Sequence, residues 1–357
     1  MMRRFSMAMG QRVHNRHEWA FVIGIALVCG AVSAAWAGKI LLINGAGATF
    51  PYPIYSKWFS EYAKLDPSVN FNYQSIGSGG GIRQIIARTV DFGASDMPMT
   101  DEQLAQAGEK IIHIPTVLGG VVPVYNIPEM SDKLNFSQSA LVGIYLGKIS
   151  TWNHPEIAKT NPGIALPNKP IVVVHRSDGS GTTFVWTDFL SSASAEWKAK
   201  VGRSTSVQWP VGLGGKGNEG VAGLVKQTPY SIGYVELGYA LHNQMTFGRV
   251  ENRSGRFIEC TAQTITAAAL HAADRMPNDF RVSIINAPGE DSYPVSSYTW
   301  LLVYEKPTHR EKREALVKFL RWMLKEGQRY AEPLGYAPLP PNVIRLIEAA
   351  IDKIQIA

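Results

Sequence analysis

Three times in this chain a strand-like apolar stretch runs into a loop of small residues and then into a helical pattern. The junctions are Asn44-Gly45-Ala46-Gly47-Ala48-Thr49-Phe50, Ser75-Ile76-Gly77-Ser78-Gly79-Gly80-Gly81 and Arg176-Ser177-Asp178-Gly179-Ser180-Gly181-Thr182-Thr183. Repeated strand–loop–helix units are the sequence form of an α/β architecture with largely parallel sheets. Each junction also gathers free backbone N–H groups at the positive end of a helix dipole, which makes it a candidate anion site. One such loop is an ordinary way to start a helix. Three of them, with an Arg and an Asp in the third, form a pattern that points to an anion. Arg176 follows an apolar strand directly, and a guanidinium can hold two oxygens of a tetrahedral oxyanion at once. Asp178 is placed to orient that guanidinium, or to form a simple Asx turn.

The periodicity predicts further elements. Strands are expected at Lys39–Ile43, Val69–Ser75, Val90–Ala94, Ile171–His175 and Val295–Tyr304. Helices are expected after Pro51 and Pro53 with Tyr55, Trp58, Phe59 and Tyr62 in one stripe, around Ile82–Ile86, over Thr183–Leu190, and over Asn342–Ile354. Arg310–Lys325 reads as an amphipathic helix with Leu316, Leu320, Met323 and Leu324 inward.

The N-terminus is read separately. Arg3, Arg4, Arg12 and Arg16 precede an uncharged run from Ala20 to Ala37 that ends Ala35-Trp36-Ala37. Basic start, apolar run and small-residue end predict a secretory signal over 1–37, cleaved after Ala37. A retained anchor is the alternative, since the run is long enough to span a bilayer. Removing four Arg and Glu18 takes the 35 basic and 29 acidic residues to 31 and 28, so the net charge falls from +6 to +3. The basic excess that would support nucleic-acid binding is mostly targeting sequence. Of two Cys, Cys29 leaves with the signal, and Cys260 is expected to be buried.

Asp96 ends Val90-Asp91-Phe92-Gly93-Ala94-Ser95-Asp96. A carboxylate beside an anion repels it unless the anion carries a proton, because ionised Asp only accepts hydrogen bonds. Protonated phosphate has an O–H to give; sulfate at neutral pH has none. Enzyme motifs fail: Gly215-Lys216-Gly217 lacks the Walker pattern, and neither Ser180 nor Ser78 is flanked as in a nucleophile elbow. The His residues are scattered, with no metal spacing, and His175 should face away from Arg176. No cofactor and no metal are expected.

These segments, with Gly143-Ile144-Tyr145-Leu146-Gly147-Lys148-Ile149, Gly212-Leu213-Gly214-Gly215-Lys216-Gly217-Asn218 and Ser231-Ile232-Gly233-Tyr234-Val235-Glu236, resemble the phosphate-binding components of phosphate-specific ABC importers, a family of periplasmic solute-binding proteins. The match runs in order across nearly all of the chain after the signal. It implies a two-lobed α/β fold of type II, with the ligand in a cleft between lobes and a hinge of two crossing strands. Lobe I would comprise 38–118 plus 296–357 and lobe II 119–295, with crossings near Gly119–Pro123 and Pro294–Ser297. The resemblance assigns inorganic phosphate to Thr49 and Phe50 through their N–H groups, and to Ser78, Asp96, Arg176, Ser180, Gly181 and Thr182. Asp178 would pair with Arg176. Gly79 and Ser177 depart from a close relative's Ser and Ala, at positions that match no direct ligand. The resemblance further implies no catalysis, a periplasmic monomer, and the permease subunits of an ABC phosphate importer as partner. A secreted phosphatase on this scaffold, or a receptor for sulfate, molybdate or arsenate, remains the alternative.

Overall fold

The computed structural model describes residues 40–130 and 132–354. The expected signal at 1–37 lies outside the described residues. Nine strands form the main sheet. In chain order these are β1 (Leu41–Gly47), β2 (Val69–Ser75), β3 (Phe92–Ser95), β4 (Ile111–Asn126), β5 (Val172–Arg176), β6 (Leu213–Gly215), β7 (Ser231–Glu236), β8 (Thr246–Phe247) and β9 (Ser296–Tyr304). Their spatial order is β2-β1-β3-β9-β4-β7-β5-β6, with β8 beside β4. The wings are parallel: β1 pairs with β2 and β3, and β5 with β6 and β7. The centre differs from the largely parallel expectation. There β9 runs antiparallel to β3 and β4, and β4 antiparallel to β7. Two strands that traverse the sheet centre in opposite directions impose this.

Strand β4 is the spine. Up to Gly120 it pairs with β9; from Val121 it pairs with β7. One strand thus carries the chain from one wing to the other, and β9 carries it back, starting at Ser296 opposite Gly120. Gly119 is required at the switch because a Cβ there would enter the Phe50 ring. Cys260 packs its sulfur against the adjacent Gly120 and is buried, which pushes the thiol well above its usual range. We therefore expect native protein to resist thiol reagents and to react only once unfolded in denaturant. Rapid labelling of the folded chain would contradict this packing.

Helices cover both faces. The ones used below are α1 (Tyr52–Leu65), α2 (Ser78–Ile86), α3 (Gly181–Ala193), α4 (Gly217–Gln227), α5 (Arg310–Lys325) and α6 (Pro341–Ile351). In α1, Ile54, Tyr55, Trp58 and Tyr62 form the buried stripe, after a start favoured by proline at the first turn. Phe59 stacks on Phe71 at 4.8 Å, and Phe71 meets Phe319 of α5 at 4.5 Å. Trp58 Nε1 donates to Gly327 O. The C-terminal helices are thereby tied to the wing that starts the chain. Leu316, Leu320, Met323 and Leu324 are buried as their spacing predicts, and so is Arg313.

Candidate functional site

All three loops of the sequence pattern reach one place, at the C-terminal ends of β1, β2 and β5. Strand β1 runs further than expected, to Gly47, so the loop to α1 is only Ala48–Pro51. It leaves Thr49 and Phe50 buried. Their carbonyls accept from Tyr239 Oη (2.7 Å) and Tyr336 Oη (2.6 Å), while their N–H groups find no acceptor among the described residues. In the second loop, Gly77 has φ +85°, a conformation that L side chains rarely adopt, and α2 begins at Ser78 itself. The third loop caps α3: Ser180 Oγ accepts from the Thr183 N–H at 3.0 Å. The N–H groups of Gly181 and Thr182 are then left free, as the first turn of any helix leaves them.

Arg176 ends β5 and is 3% exposed. Its Nε and Nη2 donate to Asp178 Oδ1 (2.8 Å) and Oδ2 (2.6 Å), a bidentate pair. Asp178 Oδ1 also accepts from the Gly217 N–H at the start of α4, at 3.0 Å. Burial pushes this carboxyl up, but the guanidinium and the Gly217 N–H outweigh it and hold Asp178 below the usual carboxylate range. The pair fixes the guanidinium plane. Its remaining N–H groups face Thr182, whose Oγ1 lies 3.4 Å from Nη1. His175 is turned elsewhere, with its ring stacked on Trp209 at 4.8 Å.

Asp96 follows β3 and is 1% exposed. Oδ1 accepts from Thr299 Oγ1 at 2.7 Å, and Oδ2 from Ser78 Oγ at 3.3 Å. Burial dominates its titration. Thr299, the Arg176 charge and Ser78 oppose that only in part, so its carboxyl is pushed up to about 7.

The two wings touch across this site. Gly79 N–H donates to Gly179 O (2.9 Å), and Asn218 Nδ2 donates to Thr49 Oγ1 (2.8 Å). Beyond the loops, Arg281 Nη1 reaches Met99 O (3.0 Å) and Asp101 Oδ1 (2.7 Å). Gly181 is packed closely against the other wing: a Cβ there would collide with Ser78 Oγ and the Asp96 carboxylate. Thr49, Phe50, Ser78, Asp96, Arg176, Ser180, Gly181 and Thr182 are therefore brought together, with Asp178 behind Arg176. Among the described residues no three His, Cys, Asp or Glu side chains group as a metal site would need.

Two contributors were missed in the sequence. Asn218 is fully buried and bridges Thr49 Oγ1 and Thr182 Oγ1, with its Oδ1 accepting from Glu236 N–H. Its signal was its position behind Gly217 at a helix start. Thr299 holds Asp96 from the middle of β9, and nothing local in the sequence marks it.

Two α/β wings meeting on buried polar loops, with strands crossing between them, is the architecture of a solute-binding protein. A family model described as the PBP superfamily domain matches residues 32–326. The phosphate-binding protein PstS of Pasteurella multocida is 49% identical over 308 residues, covering 86% of this chain and 89% of that protein. That of Haemophilus influenzae is 47% identical over 86% and 91%, and that of Methanocaldococcus jannaschii 36% over 94% and 95%. Among solved structures, a high-affinity periplasmic phosphate-binding protein of the DING type bound with phosphate superposes with a TM-score of 0.71 at 22% identity. It covers 87% of this chain and 93% of that one. An ABC-type phosphate transport receptor from Vibrio cholerae gives 0.55 at 19%, covering 84% and 100%. The chain belongs to the PBP superfamily and, within it, to the family of the PstS phosphate-binding proteins.

Proposed function

We propose that the chain is a periplasmic receptor that binds one inorganic phosphate and delivers it to the permease subunits of an ABC importer, acting as a monomer and without catalysis. The observation that carries this reading is the meeting of a fixed, buried guanidinium and a buried carboxylate across free helix-start N–H groups. Arg176, Thr182, Ser180, Ser78 and the N–H groups of Thr49, Phe50, Gly181 and Thr182 donate to the anion's oxygens. Asp96 accepts the one hydrogen that a protonated phosphate still carries. Each charge-assisted hydrogen bond contributes ~1.5–3 kcal/mol, and together they offset the anion's lost hydration. The names of the relatives support this ligand and this transport role. A phosphatase is less well supported: the Ser180 hydroxyl accepts the Thr183 N–H, and among the described residues no His shares a hydrogen bond with it. The expected signal supports export, and no helix among the described residues is long and apolar enough to cross a membrane.

In this reading 38–118 plus 296–357 and 119–295 are two lobes, hinged where β4 changes partner and where β9 begins. Ligand contacts from both lobes favour the closed arrangement, which is how binding shifts the population. Small-angle scattering tests this. Phosphate should lower the radius of gyration of phosphate-stripped wild type. Gly181→Ala, whose Cβ would strike Ser78 and Asp96, should stay open at the same phosphate concentration. Equal compaction of the two proteins would contradict the proposed closure.

A further inference from the structure

The end of the first wing away from these loops holds a second collection of charges. Thr49, Ser78 and Asp96 follow the C-terminal ends of β1, β2 and β3. At the other end, a cavity of about 230 Å³ opens between the start of β3, the end of β9 and the start of α5. Arg313 lines it. Its side chain is only 7% exposed, yet its nearest acidic partner, Glu314 Oε1, stands at 3.7 Å, beyond hydrogen-bond reach. Among the described residues the guanidinium donates no hydrogen bond. The side chain is mostly covered, but its nitrogens are not sealed off, so the N–H groups that lack an acceptor open on the cavity.

The rest of the lining does not supply the missing partner. Among the described residues that line it Asp91 is the one carboxylate, and it is already engaged: it accepts from the Asn44 N–H at 2.7 Å and from Lys312 Nζ at 2.9 and 3.0 Å. Lys306 also lines the cavity and makes no ion pair among the described residues. Helix α5 starts at the same place, and its first N–H groups have no side-chain cap from His309.

We infer that this cavity is a second anion site, which takes a small divalent oxyanion such as sulfate or phosphate. Arg313 supplies the planar fork, Lys306 a second cation, and the start of α5 its free N–H groups. The site differs from the cleft in one respect. It has no free carboxylate to receive a proton, so it does not tell phosphate from sulfate. It lies outside the cleft and does not depend on what the cleft binds.

Thermal unfolding of the full-length protein, loaded with one equivalent of phosphate so that the cleft is filled and no excess phosphate competes at the second site, tests this. Sodium sulfate is titrated against sodium chloride at matched ionic strength. The expected result is a saturable rise in Tm with sulfate over chloride. Arg313→Met should abolish the saturable part while unfolding in chloride no earlier than wild type, since a similar-sized apolar side chain replaces a mostly covered charge that donates no hydrogen bond and has only a 3.7 Å contact with Glu314. Lys306→Gln, at an exposed position where folding is not at risk, should weaken the sulfate response about tenfold. Three results would overturn the proposal. One is a rise that grows without saturation and is equal in all three proteins, which is the general exclusion effect of sulfate. A second is no rise at all. A saturable response that survives in both variants would also overturn it, and would place the sulfate in the cleft instead.

Discussion

Arg176→Ala is expected to cost more phosphate affinity than any other single change. The guanidinium is buried, held in plane by Asp178, and aimed at the site through the N–H groups that Asp178 does not use. Removing it takes away the anion's principal positive charge and leaves Asp178 with only the Gly217 N–H. Breaking one partner of a buried pair costs about 3–5 kcal/mol. We therefore expect phosphate affinity to fall about 10²–10⁴-fold. Arg176→Lys should fail nearly as badly, because an ammonium cannot span both Asp178 oxygens and the ligand together. Asp178→Asn offers a graded comparison: it keeps the shape of the pair and removes its charge. Calorimetry on the phosphate-stripped proteins reads all three. Wild-type affinity in Arg176→Ala would mean that the loops bind the anion without their cation.

Asp96→Asn is expected to change selectivity rather than abolish binding. Ionised Asp96 meets sulfate with repulsion and no shared hydrogen, whereas Asn offers sulfate an N–H. Sites built around one donor–acceptor match reject the analogue that lacks it by ~10⁴–10⁵. Sulfate affinity should rise on the order of 10²-fold or more in the variant, while phosphate affinity falls. The same residue gives a pH signature without ligand. Its carboxyl is pushed up to about 7 in the fold, from an ordinary value of 3.8. Between those values the folded protein keeps a proton that the unfolded chain has released, so this group's contribution to stability falls as pH rises from 3.8 to about 7. Asp96→Asn removes that slope. Phosphate-stripped Asp96→Asn should therefore unfold at a higher temperature than wild type at pH 8, and the difference should shrink toward pH 4. A constant difference across that range would show that Asp96 does not bear the titration.

The parts of the site legible in the sequence are those that local chemistry dictates. Arg176 and Asp178 stand two residues apart at the end of a strand, so their pairing needs no knowledge of the fold. Ser180 caps the helix three residues before Thr183, a relation fixed by helix geometry. Asp96 was readable because an acid at a strand end beside anion loops demands a reason. Thr299 was not, because its contact with Asp96 spans 203 residues of sequence and depends on which strands become neighbours. Asn218 reaches Thr49 across 169 residues for the same reason. The antiparallel sheet centre was also hidden: periodicity identifies strands but says nothing of their pairing, and β4 and β9 pair over a long separation. Arg313 shows the opposite case. Its spacing from Leu316 and Leu320 places it on the inward stripe of α5, where a charged side chain is rarely found.

The central claim is that the cleft selects protonated phosphate through Arg176 and Asp96 together. Competition calorimetry tests it most directly: the phosphate-stripped protein is titrated with phosphate, alone and in the presence of excess sulfate, at neutral pH. The account predicts tight binding of one phosphate to the cleft, with an affinity that sulfate leaves unchanged. Displacement of phosphate by sulfate would contradict it, and would make the cleft a general oxyanion site.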